Sequence, residues 1–191
     1  MDFGKILLVV IGGIAFIVLI FVVWFITTHN SINASDQEAN AAWSNVENQY
    51  QRRADLFPNL VATVKGSAMH ESSVIGEATN ARSQWEAAKT PEGKVKAAEQ
   101  MDAAINRFMV VVEAYPDLKA NSNFVTLQAQ IEGSENRIST ERKRYTDAAR
   151  AYNTEIKNIP TSIVADFYGY KAKPLFEADK GTDVAPKINF T

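Results

Sequence analysis

Residues 6–28 form an uncharged run between Lys5 and His29, and no other feature limits the fold of this chain as severely. At about 1.5 Å of rise per residue, a helix of that length covers the roughly 30 Å hydrocarbon core of a bilayer. Ile, Leu, Val and Phe fill most of the run. Gly12 and Gly13 are of a kind tolerated in membrane helices, and Trp24 lies near one end, where an interfacial aromatic belongs. A cleaved secretory signal is the competing reading. Its apolar region is usually about 7 to 15 residues long and closes on a small-x-small site. This run is longer, and the residues from Thr27 to Asn30 offer no such site. Without cysteine there is no lipobox, so an uncleaved single-pass anchor is the expectation rather than a lipid-modified terminus.

Orientation follows from the basic residues, which are retained on the cytoplasmic side of a membrane helix. Lys5 flanks the N-terminal end, whereas residues 29–51 contain no Lys or Arg and three acids, Asp36, Glu38 and Glu47. The N-terminus is therefore expected in the cytoplasm and the rest of the chain outside it. Twenty basic against 22 acidic residues, with no basic run, give nucleic acid no electrostatic foothold.

The chain then divides into a short polar connector at 29–35, a helical bundle over 36–170 and an extended tail over 171–191. Trp43, Tyr50, Phe57 and Val64 recur every seven residues, with Val46, Leu60 and Val74 on a companion seam, so residues 36–89 read as one long helix packed along a neighbour. Pro58 removes one backbone donor and should kink this helix. The freed carbonyls around 59–61 are a minor candidate for partner binding.

Thr90-Pro91-Glu92 opens a second helix with a hydroxyl cap and proline at the first helical position. Met101, Ile105, Phe108, Met109 and Val112 form its stripe until Pro116 closes it near 114. A third helix starts near Ser122 with Phe124, Ile131, Ile138, Tyr145 and Tyr152 again seven apart, and continues to Ile159. At about 35 residues it spans roughly 50 Å and should run antiparallel to the first. A short apolar helix at Ile163, Val164, Phe167 and Tyr168 follows. The fold class is thus all-α: a transmembrane helix, an antiparallel bundle of three long helices and a short C-terminal helix.

Several ordered motifs on these helices resemble the LemA family. They are Trp43, Val46, Gln49, Tyr50, Arg52, Arg53, Asp55, Leu56, Pro58, Asn59 and Leu60, then Tyr115-Pro116, Leu118, Phe124, Gln128, Ile131, Glu132, Glu135, Asn136, Arg137, Ile138, Arg142, Tyr145 and Asn153, and the closing stretch 186–190. Phe57 stands where that family tends to carry an aliphatic residue. The resemblance implies a bacterial single-pass membrane protein with an elongated bundle of long antiparallel helices and no enzymatic activity; with the orientation above, its anchor is expected in the inner membrane and its bundle in the periplasm.

The residues themselves argue in the same direction. No cysteine nucleophile or glycine-rich phosphate loop is present, and His29 and His70 are the two histidines. His70-Glu71 is a poor metal pair, because adjacent helical residues point about 100° apart and no second histidine sits at i+4. No catalytic residue, metal or cofactor is expected.

The charged segment around Arg52, Arg53 and Asp55 carries more information. The phase that places Val46 and Leu60 in a seam places Arg53 there too, and a charge in a seam must find partners or bear a desolvation cost of several kcal/mol. Glu132, Glu135, Asn136 and Arg142 lie beside the third helix's apolar stripe. Arg53 is expected to pair with Glu135 or Glu132 and fix the register of two helices, as polar seam residues do in coiled coils.

Two functions fit this reading. One is a scaffold that self-associates through its anchors, with Gly12 and Gly13 allowing close approach, and through the sides of its bundles. The other is a membrane-anchored adaptor or sensor whose bundle binds a partner protein of the membrane or envelope, or a ligand. The expected partners are therefore the lipid bilayer, a second copy of the chain and an unidentified envelope protein.

Overall fold

The computed structural model describes residues 3–65 and 72–176. It is all-α, with six helices among the described residues: α1 Phe3–Lys65, α2 Ser72–Ala87, α3 Pro91–Val112, the single turn α4 Pro116–Lys119, α5 Ser122–Glu155 and α6 Thr161–Tyr168. The contacts divide into two compact units, one built on the chain up to Asn45 with Asp147–Lys173, the other on Val46–Thr146 with the chain from Pro174.

In the first unit the large apolar residues from Ile6 to Val23 are all exposed, including Ile14, Ile17 and Phe21. Burial begins at Trp24 and Phe25, which pack against a cluster of Ile32, Tyr152, Ile156, Val164 and Ala165. Residues 29–35, expected as a connector, are helical throughout, and no break separates the apolar run from the polar part of α1. The Ser31 hydroxyl donates to Glu155 Oε1 at 2.6 Å, and the Ser35 hydroxyl donates to the other oxygen of the same carboxylate. The chain after α6 turns at Gly169, whose φ of 74° lies in the left-handed region that suits glycine as a helix C-cap. It is then held at Lys173. The Asn153 side chain donates to the Lys173 carbonyl at 2.8 Å and accepts from its N–H at 2.7 Å, while Lys173 Nζ lies 2.8 Å from Asp36 Oδ1. This part of the tail packs on its own chain; residues 177–191 lie outside the described residues.

The second unit is a bundle. The buried stripe of α1, Val46, Tyr50, Phe57, Leu60 and Val64, keeps its seven-residue phase through Pro58, around which the helix is unbroken. Tyr50 meets the Trp85 ring at 4.9 Å and Phe57 meets Phe108 at 6.0 Å. α2 and α3 form an antiparallel hairpin, with Lys94 Nζ donating to the Trp85 carbonyl at 3.1 Å near its closed end and Arg107 pairing with Glu77 at 3.2 Å further along. Thr90 caps α3 by accepting from the Gly93 N–H at 3.1 Å. On α5, Phe124, Ile131, Ile138 and Tyr145 are buried in the second unit, and Tyr152 continues the stripe in the first.

Three boundaries differ from the sequence reading. The single helix expected over 36–89 is divided into α1 and α2, because burying Ile75, Ala78, Ala81 and Trp85 against α3 requires a separate hairpin arm. Residues 66–71, between the two, lie outside the described residues, and a seven-residue repeat carries no marker for the change of packing partner. α5 stops at Glu155 rather than Ile159. Proline disfavours the helical region for the residue before it, and the chain tightens as the Lys157 and Asn158 N–H groups both bond the Thr154 carbonyl. The turn α4 has no counterpart in the periodic pattern.

Gly133 sits inside α5, and a Cβ built on it meets nothing within 4 Å. Gly133→Ala should raise stability by about 0.5–1 kcal/mol through lower unfolded-chain entropy and higher helix propensity, read as a higher midpoint in chemical denaturation of the full chain followed by circular dichroism.

Candidate functional site

The second unit buries one charged centre. Arg53 is 1 % exposed, in the α1 seam one heptad beyond Val46 and one before Leu60. Its Nη1 lies 2.8 Å from Asp102 Oδ1 on α3 and 2.7 Å from Glu135 Oε2 on α5. The second Asp102 oxygen accepts from the Tyr50 hydroxyl at 2.8 Å and from Arg142 Nη1 at 3.3 Å. Two guanidinium groups thus face two carboxylates, and three helices meet through one aspartate. Arg53 Nε is buried with no hydrogen-bond partner.

Electrostatics follows from burial. Removal from water pushes Asp102 up to about 6, against the opposing pull of Arg53 and the Tyr50 hydrogen bond. Asp102 is therefore still ionised at neutral pH. Burial and the adjacent carboxylate push Tyr50 far upward, so its hydroxyl remains a proton donor to Asp102. This arrangement joins three helices around one carboxylate.

The residues singled out in the sequence are placed as follows. Arg53, Glu135 and Arg142 come together, and the Arg142 guanidinium also stacks 4.4 Å above the Phe176 ring. Arg52, Asp55, Glu132 and Asn136 are exposed and stay outside the centre. Asp55 accepts from Gln51 at 2.9 Å, Glu132 accepts from Gln128 at 2.9 Å, and the Asn136 carbonyl accepts from Thr140 at 2.9 Å. Gly12 and Gly13 stand open on the apolar segment, and Trp24 packs 5.5 Å from Phe21. His70-Glu71 lies outside the described residues. Among the described residues, no three His, Asp or Glu side chains converge as a metal site.

Asp102 is the residue that periodicity missed. It follows Met101 and lies one turn from both Ala98 and Ile105, which are buried, so an acid falls beside the apolar stripe of α3. That misplacement is the signal by which it could be found. Tyr50 was legible as a seam aromatic, but its hydroxyl contact was not.

Beside this centre, Gln49, Arg52, Leu56, Val125, Gly133 and Arg137 help line a groove of about 640 Å³ between α1 and α5. Gln49 Oε1 is itself buried without a hydrogen-bond partner.

Comparison with known proteins adds a family. The LemA family profile matches residues 42–190. Magnetosome protein MamQ 1 and magnetosome protein MamQ 2 of Paramagnetospirillum magneticum are each 26 % identical over 192 residues, covering 87 % of this chain and 71 % of theirs. Magnetosome protein MamQ of Magnetospirillum gryphiswaldense is 25 % identical over 197 residues, covering 86 % of this chain and 72 % of its own. None of these names states a reaction.

Asp102→Ala leaves Arg53 with Glu135 alone and takes the shared carboxylate from Tyr50 and Arg142, and should cost about 3–5 kcal/mol, whereas Arg53→Met with Asp102→Leu should recover most of that loss; denaturation of the full-length variants checks both. The same series has a pH signature. A folded-state value near 6, above the ordinary aspartate value, makes the folded protein bind the extra proton. The resulting stability is fully present below the unfolded value and is lost as pH rises through 6, so wild type should lose stability relative to Asp102→Asn between pH 4 and pH 7.

Proposed function

Since the chain belongs to the LemA family, we propose that it is a non-enzymatic, single-pass scaffold of the bacterial inner membrane that self-associates through its anchor. The observation that carries this reading is the apolar segment of α1. Its large side chains are exposed from Ile6 to Val23, and open space lies over Gly12 and Gly13. Helices in lipid gain little from apolar contact alone and associate where small residues let backbones approach, which this pair provides. The Arg53 centre then serves a structural purpose, locking α1, α3 and α5 in one register so that each copy presents the same bundle surface.

Lys5 before the segment and three acids after it favour a cytoplasmic N-terminus and a periplasmic bundle. The bilayer and a second copy are the partners of this reading, and nucleic acid is not.

A second reading is favoured by the groove of about 640 Å³. Arg52 and Arg137 flank it and Gln49 lines it, so a membrane-anchored adaptor could seat a partner protein of the envelope or a ligand there.

Native mass measurement after gentle detergent extraction separates the two. The scaffold reading expects a closed or higher assembly that shifts toward monomer in Gly12→Leu/Gly13→Leu, with the bundle's denaturation midpoint unchanged. A monomeric wild type overturns it and leaves the adaptor. Protease added to intact spheroplasts should digest the bundle; survival until the membrane is opened reverses the orientation.

A further inference from the structure

Residues 159–168 expose an apolar surface that the bundle does not use. Ile159 is 87 %, Ile163 59 % and Phe167 73 % exposed, spaced four apart, while Val164 and Ala165 on the other side of α6 are buried. An eight-residue helix with one side in the core and large hydrophobes on the other is unusual on a surface washed by water.

Its position explains the composition. The Phe167 ring meets Phe25 edge-on at 5.6 Å, and Tyr168 lies 5.9 Å from the same ring. Phe25 closes the exposed apolar segment of α1. From Ile6 to Phe25 that helix rises about 28 Å, close to the thickness of a hydrocarbon core. α6 is therefore docked at Phe25, on the stretch of α1 that also exposes Val22 and Ile26.

The neighbouring groups match a headgroup layer. Trp24, Tyr168 and Tyr170 gather there, with Tyr168 stacked 4.0 Å from His29, and aromatic rings with one polar edge concentrate at that depth. Lys157 and Lys171 flank the segment in sequence and are exposed, the kind of residue whose long stem can reach a phosphate.

We propose that residues 159–168 form a second membrane contact, a short interfacial foot whose Ile159, Ile163 and Phe167 enter the leaflet from which α1 emerges. The proposal rests on residues 6–28 spanning the bilayer. Its consequence is mechanical: a span alone leaves the first unit free to swivel about α1, whereas a foot beside it sets rotation and height over the lipid.

The chain has no cysteine, so a single introduced thiol takes a fluorescent label uniquely. Full-length Ile163→Cys, Phe167→Cys, Val18→Cys and Asp147→Cys, each checked for unchanged helicity, are labelled with an environment-sensitive dye. They are then reconstituted into phosphatidylcholine–phosphatidylglycerol vesicles carrying nitroxide lipids. Labels at 163 and 167 should shift to the blue and be quenched most by nitroxides placed near the headgroup. The label at 18 should be quenched most by nitroxides near the chain end, and that at 147 by neither. If 18 is quenched while 163 and 167 behave like 147, the foot is overturned and the anchor stands. If 18 is not quenched, the anchor reading itself fails. Screening at 163 and 167 that ignores nitroxide lipid and disappears when protein is diluted in lipid assigns the surface to a second copy and overturns the proposal.

Discussion

A guanidinium in a helix seam has no stable half-measure. Arg53 is held among Val46, Leu60 and the aromatic residues of the bundle, and withdrawing it from water without partners would cost several kcal/mol. Every arrangement of α1, α3 and α5 must therefore bring a carboxylate to Nη1, and this one brings two, from Asp102 and Glu135. A one-residue slip of either partner helix rotates its carboxylate by about 100° and abandons the charge. Apolar seams tolerate slippage far better, since one aliphatic residue resembles the next. On the proposed reading, positional uniqueness more than net stability is what this centre contributes, because a well-packed apolar replacement is often as stable as a buried ion pair.

Asp102 occupies the junction of that logic. It serves Arg53 with one oxygen and Tyr50 and Arg142 with the other, so three helices converge on a single carboxyl group. Arg142 extends the connection, since its guanidinium lies over Phe176, which in turn meets Tyr145 edge-on at 5.9 Å. The residues just after Pro174 are thereby tied to the same centre, and the Tyr145 hydroxyl bonds the Pro174 carbonyl at 2.7 Å.

Much of this was visible before any coordinates. Seven-residue spacing identified the buried stripes of α1 and α5, Thr90-Pro91 marked the start of α3, and the phase of Arg53 placed it in the seam. Those signals are local and periodic, and helices express them directly. What escaped was non-local. The hairpin division between α1 and α2 follows from where the apolar side of α2 is buried, and Asp102 became a partner only when α3 was laid across α1. The Lys173 clasp by Asn153 was equally hidden, because it is a backbone contact and backbone atoms are the same in every residue.

In the first unit one helix changes from an exposed apolar surface to an inward-facing seam, the pattern expected of a helix that meets two solvents. From Ile6 to Val23 the large side chains point outward, the arrangement a surrounding lipid favours and water opposes; from Ile32 the seam turns inward, as water demands. The change needs a short zone in which both rules are satisfied. Trp24, Phe25 and His29 occupy it, with rings that offer apolar area and, in the indole and imidazole, polar edges. α6 is pinned to this zone by Phe25 and His29, and its own sequence repeats the division, with Val164 and Ala165 inward and Ile163 and Phe167 outward. A helix placed there only to complete the core would be better served by polar residues on its free side. On the proposed reading, the hydrophobes at Ile159, Ile163 and Phe167 belong to the same physical account as the apolar run of α1, with lipid as the solvent for both.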